Sequence, residues 1–359
     1  MTLKNRLVRS ATWEGMCAAD GRPTDRLVKC YRDLARGGVG LIISGYTFVR
    51  PEGKQLPGKM GIHTDDFAAE MKAITKAVHD EGGKICIQLV HCGGQTDSAT
   101  AGRQPLAPSS VNIALFPETP AELTKDSIRD IITAFKDGAR RAKAWGFDAV
   151  ELHGAHGYLI NQFLSPLTNH RTDEYGGGIE NRSRFLLEVY RQVREEVGPG
   201  YPVLIKLNAA DNLPGGLGID DAVYAAKKLS EEGIDAIEVS SGTPVSGEQS
   251  PARTKIDKPE KEAYNLEAAR RIKEAVGCPV MAVGGFRSYE VAERAIRDYG
   301  VDYISMARPF IREPGLALRW KNGDTAPAKC ISCNGCFEPG MKEGGIYCVV
   351  EAKERKRRR

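Results

Sequence analysis

The 359-residue chain has no apolar run approaching the roughly 18 residues that a membrane span requires. Met1–Ser10 also lacks an apolar signal core, so a cytoplasmic protein away from the membrane is expected. Net charge is equally scarce. The formal +4 arises from the final EAKERKRRR, and the preceding 350 residues balance to zero, which leaves nucleic-acid binding without support. That basic run is expected to be a solvated, disordered end. The nine cysteines are odd in number and follow no secretory signal, which argues against a disulfide framework. Apolar residues at 41% and charged residues at 27% exclude disordered, collagen-like and coiled-coil classes.

What the chain does have is alternation. Short apolar runs at Leu7–Thr12, Val39–Val49, Lys84–Val90, Ala149–Ala155, Pro202–Asn208, Ala236–Gly242, Pro279–Gly285 and Tyr303–Pro309 read as strands. Amphipathic stretches such as SIRDIITAFKDGARRAKAWG and DDAVYAAKKLSEEG separate them and close on glycine, as helix C-termini do. Eight βα units within about 320 residues predict an α/β fold of the TIM (β/α)8 barrel type. A doubly wound sheet is disfavoured, because no glycine-rich dinucleotide turn follows the first strand. The expected organisation is a barrel over 1–323 and a short Cys-rich extension with a basic tail over 324–359. In a barrel, polar residues at the C-terminal strand ends converge on one rim. The long connections His91–Thr124 and Gly157–Asn181 are expected to shape a substrate site there.

The fourth strand runs into HGAHGYLINQFLSPLTNHRTDEYGG, with His153, His156 and Tyr158 inside six residues. An isolated His-x-x-His more simply satisfies backbone carbonyls. Here the segment resembles the active-site strand of the Old Yellow Enzyme family of flavin-dependent ene-reductases, through His-x-x-His-Gly-Tyr, then Phe163–Pro166 and Asn169–Arg171. LKNRLVRSAT, CIQLVHCGGQ, RTDEYGGGIENRSRF, VGGF and ARPF extend the similarity over most of the chain.

The resemblance implies FMN as cofactor and NADH or NADPH as hydride donor. His153 and His156 then hold a substrate carbonyl, strengthening as an enolate develops, in the manner of oxyanion-hole donors. Both rings face one side only if the strand ends near Ala155 and the chain turns helical. Tyr158 is the implied proton donor to carbon. Lys206 is charged within the apolar run VLIKLN, where an unpaired ammonium is costly, and the resemblance sets it beside the flavin pyrimidine. Gln88 is the implied partner of that same edge. Ser10, Ala11 and Thr12 match the first-strand segment along the ring, and Tyr46 its neighbour on strand two. Gly284 and Gly285 after strand seven, with Ala307 and Arg308 after strand eight, suit one phosphate. Trp13 falls where some relatives carry a flavin-tuning cysteine or threonine.

Cys330, Cys333, Cys336 and Cys348 form a separate cluster, compatible with a 4Fe-4S centre or tetrahedral zinc. Longer relatives of the 2,4-dienoyl-CoA reductase kind carry an iron-sulfur cluster after the barrel, with three rather than two residues between the second and third cysteines. They also continue into a domain that feeds it electrons. The expectation is therefore an FMN-dependent NAD(P)H oxidoreductase reducing the C=C bond of an enone or enoate. The alternative is a flavin/iron-sulfur electron-transfer subunit with a partner reductase. Homo-oligomerisation is compatible with either.

Overall fold

The structure, a computed structural model, describes residues 1–113 and 115–358. Eight parallel strands, β1 (Leu7–Arg9), β2 (Leu41–Phe48), β3 (Ile85–Val90), β4 (Ala149–Gly154), β5 (Val203–Asn208), β6 (Ala236–Ser240), β7 (Val280–Val283) and β8 (Tyr303–Met306), pair in chain order. The ring closes because β1 pairs with both β8 and β2. This is the TIM barrel that the alternation predicts. Each of the runs extends past the ladder in places: β1 stops at Arg9 rather than Thr12 and β7 at Val283 rather than Gly285. The residues beyond leave the sheet to form the rim.

Side chains alternate between two environments along every strand. Val8, Leu41, Ile43, Cys86, Ala149, Leu204, Ala236 and Met281 point inward and plug the barrel. Their neighbours, among them Ile42, Ile87, Val150, Ile205, Ile237 and Ile304, point outward into the shell of helices. Burying each such aliphatic side chain stabilises the fold by about 1.5–3 kcal/mol. The helix after β1, α1 (Asp25–Arg36), buries Leu27, Tyr31, Leu34 and Ala35, the 3.6-residue stripe of a one-sided helix. The helix after β3, α2 (Lys125–Ala144), begins where the Thr124 side chain accepts a hydrogen bond from the Ser127 N–H, a cap worth about 1 kcal/mol.

The two long connections are tied together. Arg171 donates to the Pro108 and Leu123 carbonyls at 2.9 and 2.7 Å and pairs with Asp173, so both loops are held as one rim. Beyond the barrel, the expected disordered tail is instead a helix, Val349–Arg357. A nine-residue helix is marginal alone; the Glu351–Arg355 pair and the Arg312–Glu354 bridge at 2.5 Å hold it. Among the described residues no helix is long and apolar enough to cross a membrane.

Candidate active site

The inward pattern changes abruptly above the apolar plug. The next inward positions are Gln88, Glu151, Lys206 and Glu238, all within 3% of full burial. Gln88 stands beside Glu151, and Lys206 beside Glu238, in the strand register. Lys206 Nζ lies 2.8 Å from Glu238 Oε2 and donates to Ser10 Oγ at 2.9 Å. Gln88 Nε2 donates to Glu151 Oε2 at 2.7 Å. Burial and the charge of Glu238 raise the Glu151 carboxyl well above the usual carboxylate range.

Gln88 and Lys206 of this layer floor a cavity of about 450 Å³ at the C-terminal rim. Ser10, Ala11, Thr12, Tyr46, Gln88, His153, His156, Tyr158, Lys206, Gly284, Gly285, Ala307 and Arg308 all line it. The structure therefore gathers around one space the non-cysteine site residues expected from sequence. Their local geometry differs from expectation at one point. After β4 the chain does not turn helical at once; His156 and Gly157 take left-handed φ values of +60° and +74°, and the helix Leu159–Leu164 starts only after Tyr158. This reversal brings the rings edge to face, His153 to His156 at 5.2 Å and His153 to Tyr158 at 4.7 Å between centroids.

Protonation follows from the surroundings. The Ala155 N–H donates to His153 Nδ1 at 3.3 Å, which leaves the proton of a neutral ring on Nε2. His156 Nε2 is 2.7 Å from Ser240 Oγ. Burial holds both imidazoles well below their ordinary range, with His156 and Lys206 adding to the effect at His153 and Lys206 at His156. Both are neutral N–H donors at neutral pH. The Tyr158 hydroxyl donates to Gln55 Oε1 at 2.8 Å, and burial raises its pKa above the ordinary phenol value. Gln55 in turn donates to Gln95, and Gln95 to the His156 carbonyl, closing a polar ring under the rim.

At the opposite end, Gly285 has φ +75°, and a Cβ there would meet the Tyr264 ring at 2.9 Å. Arg308 donates to Asn334 Oδ1 at 2.6 Å and to the Arg253 carbonyl at 2.8 Å. The buried Ser305 Oγ on the cavity wall lacks a hydrogen-bond partner. Among the described residues, no aspartate or glutamate lines the cavity. Its size, the close-approach glycines, the arginine and the unused hydroxyl fit a flavin mononucleotide, a planar ring with one phosphate.

Several lining residues carry little signal in the sequence. Lys59 sits in an ordinary-looking QLPGKMG stretch and is buried because Gly58, at φ +69°, backs onto Gly15, 3.0 Å from where its Cβ would stand. Ser332, Asn334 and Phe337 come from the C-terminal extension, which thus forms part of the cavity wall. Trp13 lines the cavity too, and Glu14 is committed elsewhere, accepting from Arg9 at 2.7 Å and Tyr31 at 2.8 Å.

The cysteine quartet is only half gathered. Cys330, Cys333, Cys336 and Cys348 share a small second cavity with Arg308 and Arg312. Among the described residues, however, no three His, Cys, Asp or Glu side chains are grouped to hold a metal ion. The expected metal centre is not assembled in this arrangement. Cys348 Sγ receives a hydrogen bond from Arg312 at 3.4 Å.

Comparison with known proteins follows the same outline. The model of the NADH:flavin oxidoreductase / NADH oxidase family matches residues 1–326. An NADH oxidase of Thermoanaerobacter brockii is 38% identical over 94% of this chain, which spans 52% of that protein. The solved complex of a 2-naphthoyl-CoA reductase superposes with a TM-score of 0.89 at 29% identity, covering 97% of this chain and 55% of that one. An old yellow enzyme homologue from Zymomonas mobilis gives 0.77 at 30% identity, covering 92% and 91%. The chain thus spans about half the length of the first two.

Proposed function

From a chain that belongs to the NADH:flavin oxidoreductase / NADH oxidase family, we propose an FMN-dependent NAD(P)H oxidoreductase that reduces the C=C bond of α,β-unsaturated carbonyl compounds. The observation that carries this reading is the convergence of two neutral imidazole donors and a protonated phenol on one face of a cavity floored by Lys206. Bound FMN, reduced by NADH or NADPH, supplies hydride from its N5 atom.

The chain's own residues do the rest. Ser10, Ala11, Thr12, Tyr46 and Gln88 would hold the ring. Lys206 would provide positive charge to it, and Gly284, Gly285, Ala307 and Arg308 would hold the phosphate. His153 and His156 donate to the substrate carbonyl oxygen and hold the growing negative charge there. Neutral donors suit this task, because they polarise the oxygen without surrendering a proton to it. Tyr158 transfers its hydroxyl proton to the alkene carbon. The tie to Gln55 aims that hydroxyl. Purification under argon, an absorbance spectrum and stopped-flow reduction of 2-cyclohexenone test the proposal. A yellow protein that NADPH bleaches and the enone restores supports it; a protein that takes up no flavin overturns it.

A second reading draws on the four cysteines around one cavity and on Arg308 and Asn334, which line both cavities. It is an electron-transfer subunit, working with a partner reductase, in which Cys330, Cys333, Cys336 and Cys348 would hold a 4Fe-4S cluster or zinc. Iron, acid-labile sulfide and zinc measured on the same anaerobic preparation decide it. Absence of all three removes this reading.

A further inference from the structure

Among the described residues, the active-site cavity carries four Lys and Arg side chains and no acid: Lys59, Lys206, Arg287 and Arg308. Three of these have partners. Lys206 pairs with Glu238 at 2.8 Å, Arg287 donates to the Ile256 carbonyl at 2.7 Å, and Arg308 donates to Asn334 at 2.6 Å. Lys59 is 3% exposed and, among the described residues, its ammonium has neither an ion pair nor a hydrogen bond. It rests only on aromatic faces, 4.0 Å from the Tyr46 ring centroid and 5.8 Å from that of Tyr158. That position is the substrate end of the cavity, since the Tyr158 ring also packs against His153.

The groups facing Lys59 from each neighbouring element supply no anion. Tyr46 and Tyr158 are phenols whose pKa burial raises, and burial pushes the Cys92 thiol up to about 12. Glu14 is already spent on Arg9 and Tyr31, and His153 is neutral. Burial accordingly lowers the Lys59 amine to about 7, with Cys92 and Glu14 opposing the shift only in part. A cation so placed is an incomplete ion pair.

We propose that Lys59 is the specificity residue for a carboxylate on the substrate, so that the unsaturated compounds this site prefers are anionic enoates rather than neutral enones. The inference rests on the ene-reductase reading and deepens it. A carboxylate entering beside Tyr46 and Tyr158 completes the pair and draws a proton onto any Lys59 that has lost one.

The test is calorimetric titration of the FMN-loaded protein with trans-cinnamate and with trans-cinnamamide near pH 8, in two buffers of different ionisation enthalpy. Wild type is expected to bind cinnamate about tenfold or more tighter than cinnamamide, with net proton uptake. Lys59→Met should close the gap and abolish the uptake. Lys59→Arg should keep the preference without the uptake, because arginine stays charged. Equal affinities in wild type, or a preference that survives in Lys59→Met, overturns the inference. Flavin content and bleaching by NADPH, read on the same wild-type preparation, report on the ene-reductase reading alone, so the two failures are separable.

Discussion

Glu238 Oε2 stands 2.8 Å from Lys206 Nζ across neighbouring strands, with both side chains sealed from solvent and Glu151 on the next strand. The sequence showed a lysine in an apolar run and posed the question of its partner; the answer is Glu238, and the prediction is that Glu151 can share its negative charge. Either acid can carry that charge when the other is removed. Glu151→Gln and Glu238→Gln should each cost about 1 kcal/mol, whereas the double variant strands Lys206 and should cost about 3–5 kcal/mol. Urea unfolding of the four proteins measures the excess; strict additivity would refute the sharing.

The raised Glu151 carboxyl also sets a pH dependence. The folded protein keeps a proton that the unfolded chain releases near pH 4.3. The native state then binds more protons, so this site's stabilisation is complete below that value and is lost as pH rises toward the folded pKa. The slope approaches about 1.4 kcal/mol per pH unit within the window. Wild type should therefore lose stability relative to Glu151→Gln between about pH 5 and pH 7. A difference that stays flat with pH contradicts the assignment.

For Tyr158, replacement by phenylalanine removes the proton donor but leaves the flavin seat intact. Alkene reduction should fall by about 100-fold or more, with bleaching of the flavin by NADPH nearly unchanged. The phenol, raised by burial, should show no loss of protonation across neutral pH. Stopped-flow measurement of the two half-reactions separates these outcomes; equal slowing of both counts against the role.

The imidazoles are predicted to act uncharged. His156→Ala should reduce substrate turnover by about 100-fold, the value of one oxyanion-type donor. Because burial holds both rings below their ordinary range, the profile of kcat/KM against pH should lack an imidazole limb between about pH 6 and pH 8. A limb in that interval that disappears in His156→Ala would show a charged ring.

Gly285 is tested by a single methyl group. In Gly285→Ala the left-handed backbone costs about 1–3 kcal/mol, and the new Cβ presses on Tyr264, 2.9 Å away. FMN retention on dialysis should drop at least severalfold. Unchanged retention would place the phosphate elsewhere.

The resemblance drawn from HGAHGYLINQFLSP is borne out by the family match over residues 1–326. The segment was legible because two histidines, a glycine and a tyrosine at fixed spacing follow an apolar run, and few other chemistries need that order. Lys59 was not legible: its neighbours Pro57, Gly58 and Met60 read as a surface turn, whereas the fold packs it against the Tyr46 ring. The cysteine spacing suggested a finished metal centre, whereas the thiols share a cavity without the grouping a metal needs. The tail read as disordered from its charge alone and is a helix whose Glu354 pairs with Arg312.

By itself, the sequence determined the strands, their order and the motif residues at their ends, because period-two apolar runs and helix stops are local properties that one stretch of chain carries entire. Tertiary structure alone decided which polar groups meet: that Lys206 pairs with Glu238, that Arg308 donates to Asn334 and that Lys59, among the described residues, forms no ion pair. Those pairings depend on closing the ring of eight strands and on how loops fold over its rim. Burial, which sets the cost of every unpaired charge, exists only once that closure has excluded water.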